Sequence, residues 1–442
     1  MSDENGADRQ QGSRAAKLMF AFSVGAAALS GLLFGFDTAV IAGVTGDLRH
    51  VFGLSDGWLG ITVSIALWGT LAGAFGVGVP GDRYGGRAGL RAMAVCYLLS
   101  ALGCAFAWTW GGFALARLVG GVAIGGSSVL APVYIAEVSS AEKRGRLVGL
   151  FQLSVVSGIL LAYLSNALIG GWVGEAAAWR WKLGVAALPA ALLLVLFWLI
   201  PNSPRWLAAK GRHDEAVAAS ATLGIAPPPA EADTVDRARL SFTLHRRPIL
   251  LAMGLAAFNQ LSGINAILYY LNDIFAAAGY GALSAAWQAV AIGLVNLAFT
   301  VLGLALADWL GRRPLLAIGG AGLTVSLLLT ATIMFGAAPR TLLLPALIGF
   351  IGFFAMSQGA VIWTYISEIF PQEVRARGAA LGSGTHWAMN ALISAAFPWV
   401  AATSAGAPFL FFAAAMAAMT VCVLLFYPET RGVRLENVAF VH

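Results

Sequence analysis

Charge is the commodity this sequence is short of. Of its 442 residues only 27 are Lys or Arg and 21 are Asp or Glu, 11% in all, where soluble domains carry about 25%. So few charges cannot clothe the surface of a water-soluble protein of this length, and a soluble enzyme is excluded. Cysteine is also scarce. Cys96, Cys104 and Cys422 all fall in apolar runs, with neither the number nor the spacing for a disulfide framework or a metal site. They read as small buried hydrophobes. No Walker motif is present, no Gly-x-Gly follows a strand, and no Ser-His-Asp or zinc-type grouping occurs. ATP-driven transport and enzymatic chemistry are therefore not expected, nor is a cofactor. Strands alternating apolar and polar, the mark of an outer-membrane barrel, are missing as well.

What is abundant is apolar sequence: 59% of residues, with a mean hydropathy of +0.80. It comes in runs near the roughly 20 residues that a helix needs to cross about 30 Å of hydrocarbon. Twelve such segments run over 18–46, 57–79, 88–108, 111–138, 146–170, 180–200, 246–278, 284–308, 313–336, 341–369, 376–402 and 406–427. Those at 111–138 and 246–278 exceed a straight crossing, which predicts tilt or extension beyond the bilayer. The first apolar run is too long for a cleaved signal peptide. The expectation is an all-α polytopic membrane protein whose first partner is the lipid bilayer.

Lys and Arg set the orientation. With the N-terminus inside, 22 of the 27 fall in the tail, in 80–91, 142–146, 201–247, 312–313 and 375–377, and at the C-terminus. Arg49, Arg180, Lys182 and Arg340 lie on the other side, and Arg117 lies within a span. Both termini are expected in the cytoplasm, as in a multi-pass protein of the plasma membrane, the inner membrane of a bacterium. The net charge of +6 then reports topology and gives no sign of nucleic-acid binding. The expected organisation is a cytoplasmic tail (1–17), a six-span half (18–200), a linker (201–245), a second six-span half (246–428) and a tail (429–442). In the linker, Ser203 before Pro204 reads as a helix N-cap with proline at the first helical position. Gly211 would close that helix, and His213–Leu223 is a second one.

The halves repeat each other. Asp82-Arg83-Tyr84-Gly85-Gly86-Arg87 recurs as Asp308-Trp309-Leu310-Gly311-Arg312-Arg313. Tyr134-Ile135-Ala136-Glu137, followed by Arg144-Gly145, recurs as Tyr365-Ile366-Ser367-Glu368, followed by Arg377-Gly378, with Arg375 nearby, and Pro201-Asn202-Ser203-Pro204-Arg205 echoes Pro428-Glu429-Thr430-Arg431. The offsets are 226 for the first pair, 231 for the Tyr and Glu of the second and 227 for the third. Two duplicated halves are the arrangement of a transporter. In each Asp-x-x-Gly-x-Arg turn, glycine permits a tight bend, and the arginines can pair with the carboxylate ending a neighbouring span. Arg83–Glu137 and Arg312–Glu368 are the expected cytoplasmic latches.

These motifs carry a resemblance. Gly35-Phe36-Asp37-Thr38-Ala39-Val40-Ile41-Ala42-Gly43, the Asp82–Arg87 loop and Arg117 with Pro132-Val133-Tyr134-Ile135-Ala136-Glu137 cover the first half. Asn259-Gln260-Leu261-Ser262-Gly263-Ile264-Asn265, Asp308–Arg313, Trp363 with Glu368-Ile369-Phe370-Pro371, and Pro428-Glu429-Thr430-Arg431-Gly432 cover the second. Together they span nearly the whole chain, which resembles the sugar porter family of the major facilitator superfamily. The resemblance implies twelve transmembrane helices in two pseudo-symmetric six-helix halves, a monosaccharide as substrate and transport by alternating access.

Asp37 and Arg117 are the charges placed deep inside spans, where each costs about 2.5–3.5 kcal/mol on insertion scales. An aspartate beside an arginine can switch between ion pair and neutral acid. In the family, Asp37 matches the protonation site of proton-coupled members and Arg117 its partner, while proton-independent facilitators carry a neutral residue at the first position. The residues matching Gln152, Gln260, Asn265, Asn296 and Trp363 contact sugar, and Asn259, Tyr269, Gly359, His386 and Trp387 complete the expected site. Amides suit a ring of hydroxyls because they both donate and accept, and Asn265 and Tyr269 share a helix face at i, i+4. Three departures stand out. Asn259 replaces glutamine, Ile159 replaces another sugar-contacting glutamine, and His386 stands where members carry Asn or Gln. Asn202 also replaces the glutamate that Glu429 keeps, which predicts a weaker latch in the first half.

The leading expectation is a proton–monosaccharide symporter for a hexose or pentose, acting as a monomer. A facilitative sugar or polyol uniporter is the alternative. A non-transporting sugar sensor is disfavoured by tails of only 17 and 14 residues.

Overall fold

The computed structural model describes residues 2–228, 240–371 and 374–430. Every regular element among them is helical. Helix α1 (Ser2–Val40) runs out of the polar N-terminal stretch through the first apolar segment. It is followed by a 3-10 turn (Ile41–Gly43) and α2 (Thr45–Phe52). Then come α3 (Asp56–Gly76), α4 (Gly78–Tyr84), α5 (Gly86–Ala105), α6 (Trp110–Val138), α7 (Ala141–Trp172), α8 (Glu175–Gly184) and α9 (Ala187–Leu199). The linker forms α10 (Pro204–Ala209) and α11 (His213–Leu223). Beyond it lie α12 (Arg246–Leu261), α13 (Ile264–Tyr269), α14 (Leu271–Ala277), α15 (Ala282–Leu310) and α16 (Arg312–Met334). The last are α17 (Leu343–Met356), α18 (Gln358–Glu368), α19 (Arg375–Thr403) and α20 (Ala407–Phe426). Among the described residues, eleven stretches are long and apolar enough to cross a membrane by themselves. The twelfth helix of the pattern, α19, is of similar length but carries His386, Asn390 and Ser394 along its middle.

The expected segments are met by helices, and the differences are breaks within them. Segment 246–278 is three helices: Gly263, at φ 78°, separates α12 from α13, and Tyr270 separates α13 from α14. Segment 341–369 breaks at Ser357 into α17 and α18. Apolarity reports that a segment crosses, and it is blind to where the crossing unwinds. The linker helices fall where Ser203 and Gly211 put them: the Ser203 hydroxyl accepts the Trp206 N–H at 3.2 Å, and Gly211 takes φ 73°.

The chain packs as two compact units. One comprises Met1–Asp37, Gly69–Gly158 and Leu183–Thr234. Its close crossing is between α3 and α6: a Cβ at Gly73 would lie 2.3 Å from the Val122 carbonyl oxygen, and one at Gly125 2.0 Å from that of Thr70. Only glycine lets these backbones approach, as in small-residue membrane helix pairs. Leu207, Ala208, Ala216 and Ala219 form a small apolar cluster beneath Trp206. The other unit comprises Thr38–Trp68, Ile159–Lys182 and Val235–His442. There the turn after α1 is tied down from two sides, with Asn166 donating to the Val40 carbonyl at 3.0 Å and Lys182 to that of Gly43 at 2.7 Å.

The sequence repeat is also a conformational one. Gly85, preceding α5, has φ 90° and ψ 154°, and Gly311, preceding α16, has φ 94° and ψ 166°. Both occupy a region essentially closed to residues with a Cβ.

Candidate functional site

In the first unit, Arg117 on α6 meets Asp37 near the end of α1. One guanidinium nitrogen, Nη1, lies 2.9 Å from both carboxylate oxygens. Arg117 is 3% and Asp37 8% exposed. Two charges this far from water persist only by neutralising each other. Beside the pair, Gly120 lets α6 pack closely on Ser100, whose hydroxyl lies 2.4 Å from where a Cβ would stand. Gln152 also lies in this unit, half-buried on α7.

The repeated motifs form unequal clusters. In the second unit, Glu368 accepts from Arg312 Nη2 at 3.3 Å and from the Thr430 hydroxyl at 2.6 Å. The two oxygens of Glu429 accept the backbone N–H groups of Arg312 and Arg313, each at 3.0 Å, capping the start of α16 with negative charge at its positive end. Arg313 donates to the carbonyls of Val423 and Leu424, and Tyr365 to that of Pro428 at 2.7 Å. Arg375 reaches the Phe370 carbonyl, and Arg377 is exposed. The Asp308 side chain lies outside the described residues.

The first unit repeats the outer bonds but not the latch. Tyr134 donates to the Pro201 carbonyl and Arg87 to that of Ile200, both at 2.9 Å. The expected Arg83–Glu137 pair is not formed in this conformation. Arg83 lies over the Tyr84 ring at 5.3 Å, while Glu137 faces Ser203 and Arg205, brought up by α10. Arg144 is half-buried and makes no ion pair with a described carboxylate. Asn202 has no capping carboxylate to offer. Instead Trp206 packs its ring on Gly85 and donates its indole N–H to the carbonyl of Asp82 at 3.0 Å. Its role in holding the turn went unread in the sequence.

The amide cluster is built around the break in α12. Ser262 donates to the Asn259 carbonyl at 2.6 Å and accepts the Ile264 N–H, and Gly263 leaves room for the Phe412 ring, 2.3 Å from where its Cβ would stand. This geometry aims Asn259, Gln260 and Asn265 at one another. Gln260 Nε2 donates to Asn259 Oδ1 at 2.9 Å, and Gln260 Oε1 accepts from Asn265 Nδ2 at 2.9 Å. The same Nε2 lies 3.2 Å from both ring nitrogens of His386. Gln260 thus joins the amides of α12 to His386 on α19. Trp363 and Trp387 flank the imidazole, with ring centroids at 4.8 and 5.1 Å. Trp363 keeps 40% of its surface exposed, an open aromatic face beside a polar wall.

Asn390, fully buried, donates to the Tyr269 hydroxyl at 3.4 Å and accepts from Ser394 at 3.1 Å. The sequence reading missed it. Its signal was the i, i+4 polar stripe His386–Asn390–Ser394 on an otherwise apolar helix. Buried Gln358, which donates to Met416 Sδ, was missed too. Asn296, buried on α15, and Gly359 on α18 take no part in the hydrogen-bonded cluster.

Polar and aromatic side chains gathered where membrane helices unwind are the kind of site that transport proteins build. The family model described as "Sugar (and other) transporter" matches residues 24–441. A glucose transport protein of Synechocystis sp. is 36% identical over 447 residues, covering 93% of this chain and 95% of that one. The D-xylose-proton symporter of Escherichia coli is 31% identical over 462 residues, covering 93% of each. Among solved structures, the E. coli xylose transporter in a partially occluded inward-open conformation superposes with a TM-score of 0.82 at 29% identity, covering 94% of this chain and 99% of that one. This chain belongs to the sugar transporter family, as a multi-pass membrane protein embedded in the bilayer.

Proposed function

We propose that the chain is a proton-coupled symporter that imports a hexose or pentose by alternating access across a bacterial inner membrane, with both termini cytoplasmic. The observation that carries the coupling is the buried Asp37–Arg117 pair. If transport parts the two, the carboxylate is left a buried charge without its counter-ion, a cost that binding a proton removes. Transport offers such movement, and a merely structural pair would need none. The relatives named as a D-xylose transporter and a D-xylose-proton symporter support both cargo and coupling.

Sugar recognition falls to Gln260, Asn265, Asn259, His386, Trp363 and Trp387, with Tyr269, Gln152, Asn296 and Gly359 as further contacts. The amides bond one another, which fixes their orientation, and a site held in one orientation loses little freedom on binding. Arg312–Glu368 acts as a cytoplasmic latch.

The test is sugar-dependent proton movement in proteoliposomes, screened over xylose, glucose, galactose, fructose and inositol. Alkalinisation outside on addition of one sugar, absent in Asp37→Asn, is the expected result. Sugar flux without proton movement would make the chain a facilitative uniporter.

A further inference from the structure

Beyond the hinge at Gly263 and the break at Tyr270, the short helix α14 carries Asp273, a carboxyl that the transport reading leaves without a task. It lines a cleft of about 160 Å³ within the second unit, together with Arg49, Asp56, Tyr270, Phe397 and Phe409. All these residues sit near chain reversals at the end that the Lys and Arg distribution assigns to the outside.

The charges in this cavity do not balance. Arg49 on α2 is engaged by Asp56 at the start of α3, Nη1 to Oδ1 at 2.5 Å. Asp273 Oδ2 is buried and has no hydrogen-bond partner among the described residues. The groups around it are accounted for element by element. From α2, the Thr45 hydroxyl and the Arg49 guanidinium face it, while Asp47 is turned to Lys182 at 3.8 Å and His50 is exposed. From α3 comes Asp56. The Tyr270 hydroxyl is spent on the Ser394 carbonyl at 3.1 Å. Arg340 packs against Gly279 at the far end of α14. The facing turns of α15 offer Ser284 and Gln288, bonded to each other, and no charge. The cavity thus holds two carboxylates and one guanidinium, which must serve both. A carboxylate that shares its cation and leaves one oxygen unbonded in a buried setting is costly to keep ionised, and taking a proton relieves that cost.

We infer that Asp273 is a second proton-binding carboxyl, separate from Asp37, whose charge state at the outer end of the seventh span makes sugar entry depend on external pH. Protonated, it lets α14 rest against the turn after α1 without an uncompensated charge. Ionised, it competes with Asp56 for Arg49 and loosens that seat. The inference rests on the transport reading but not on Asp37 carrying the coupled proton.

The experiment is sugar exchange at equilibrium in proteoliposomes, with equal pH on both sides and xylose or glucose as the probe. Wild type, with its coupling residues intact, is compared with Asp273→Asn. Exchange by the wild type is expected to show a pH step, and Asp273→Asn is expected to abolish it. Asp56→Asn frees Arg49 for Asp273, so it should move the step down by about one pH unit, since a new opposite charge stabilises the ionised acid. A step that survives Asp273→Asn, a profile already flat in the wild type, or an upward or absent shift in Asp56→Asn overturns the inference. Absence of sugar-driven proton movement in the wild type would instead count against the symport reading, so the two failures are distinguishable.

Discussion

Arg117 offers one nitrogen, Nη1, to both oxygens of Asp37 at 2.9 Å. The pair is therefore centred on a single donor and can be broken by one movement of α6 relative to α1.

Asp37→Asn keeps size and hydrogen bonding while removing the charge. It should retain sugar binding and exchange but lose accumulation driven by a proton gradient, read as uphill uptake in vesicles. Arg117→Ala leaves a buried carboxylate without its partner, a change that costs about 3–5 kcal/mol where the charge persists. A depressed melting temperature, restored by adding Asp37→Asn, is expected.

Gln260→Ala, Asn265→Ala and Trp363→Ala should each weaken sugar binding in a protein that still folds. A hydrogen bond between neutral partners is worth about 0.5–1.5 kcal/mol net, so affinity should fall several-fold in the two amide variants. Calorimetry on purified protein checks this. Unchanged affinity in all three would remove the site assignment.

His386→Phe and His386→Asn separate shape from hydrogen bonding. Phenylalanine keeps the ring between Trp363 and Trp387 but strands a Gln260 donor, at about 1–3 kcal/mol for an unsatisfied buried group. Asparagine keeps an acceptor and loses the ring. Weaker sugar binding in the phenylalanine variant than in the asparagine variant is expected from titrations near neutral pH.

Glu368→Gln should loosen the cluster of Arg312, Glu368 and Thr430, and Glu429→Gln should weaken the cap on α16 by about 1 kcal/mol. In the first unit, where the Arg83–Glu137 pair is absent, Glu137→Gln should change conformation less than Glu368→Gln. The measurement is labelling of a cysteine placed in the inner vestibule, with faster labelling expected for Glu368→Gln.

Membrane class, span count, repeat and linker helices were all legible in the sequence, because each rests on local physics. Low charge forbids a soluble surface, run length matches bilayer thickness, and a serine before proline caps a helix wherever it occurs. The buried charges Asp37 and Arg117 stood out for the same reason, since nothing local justifies them. Partner choice was a different matter. Glu137 and Glu368 hold equivalent places in the repeat, yet one faces Arg205 and the other bonds Arg312. That difference comes from α10, which sets Trp206 on Gly85 in one unit, and from Glu429, which caps α16 in the other. Likewise, no periodicity announces that Gly263 turns Gln260 towards His386, 126 residues away. Nor does any pattern show that Asp273 shares Arg49 with Asp56 and leaves one oxygen without a donor. Hydrophobic length decides that a segment enters the membrane. Which polar group finds which partner there is settled only when distant helices pack, because a polar atom in a low-dielectric interior must bond whatever the packing brings within reach.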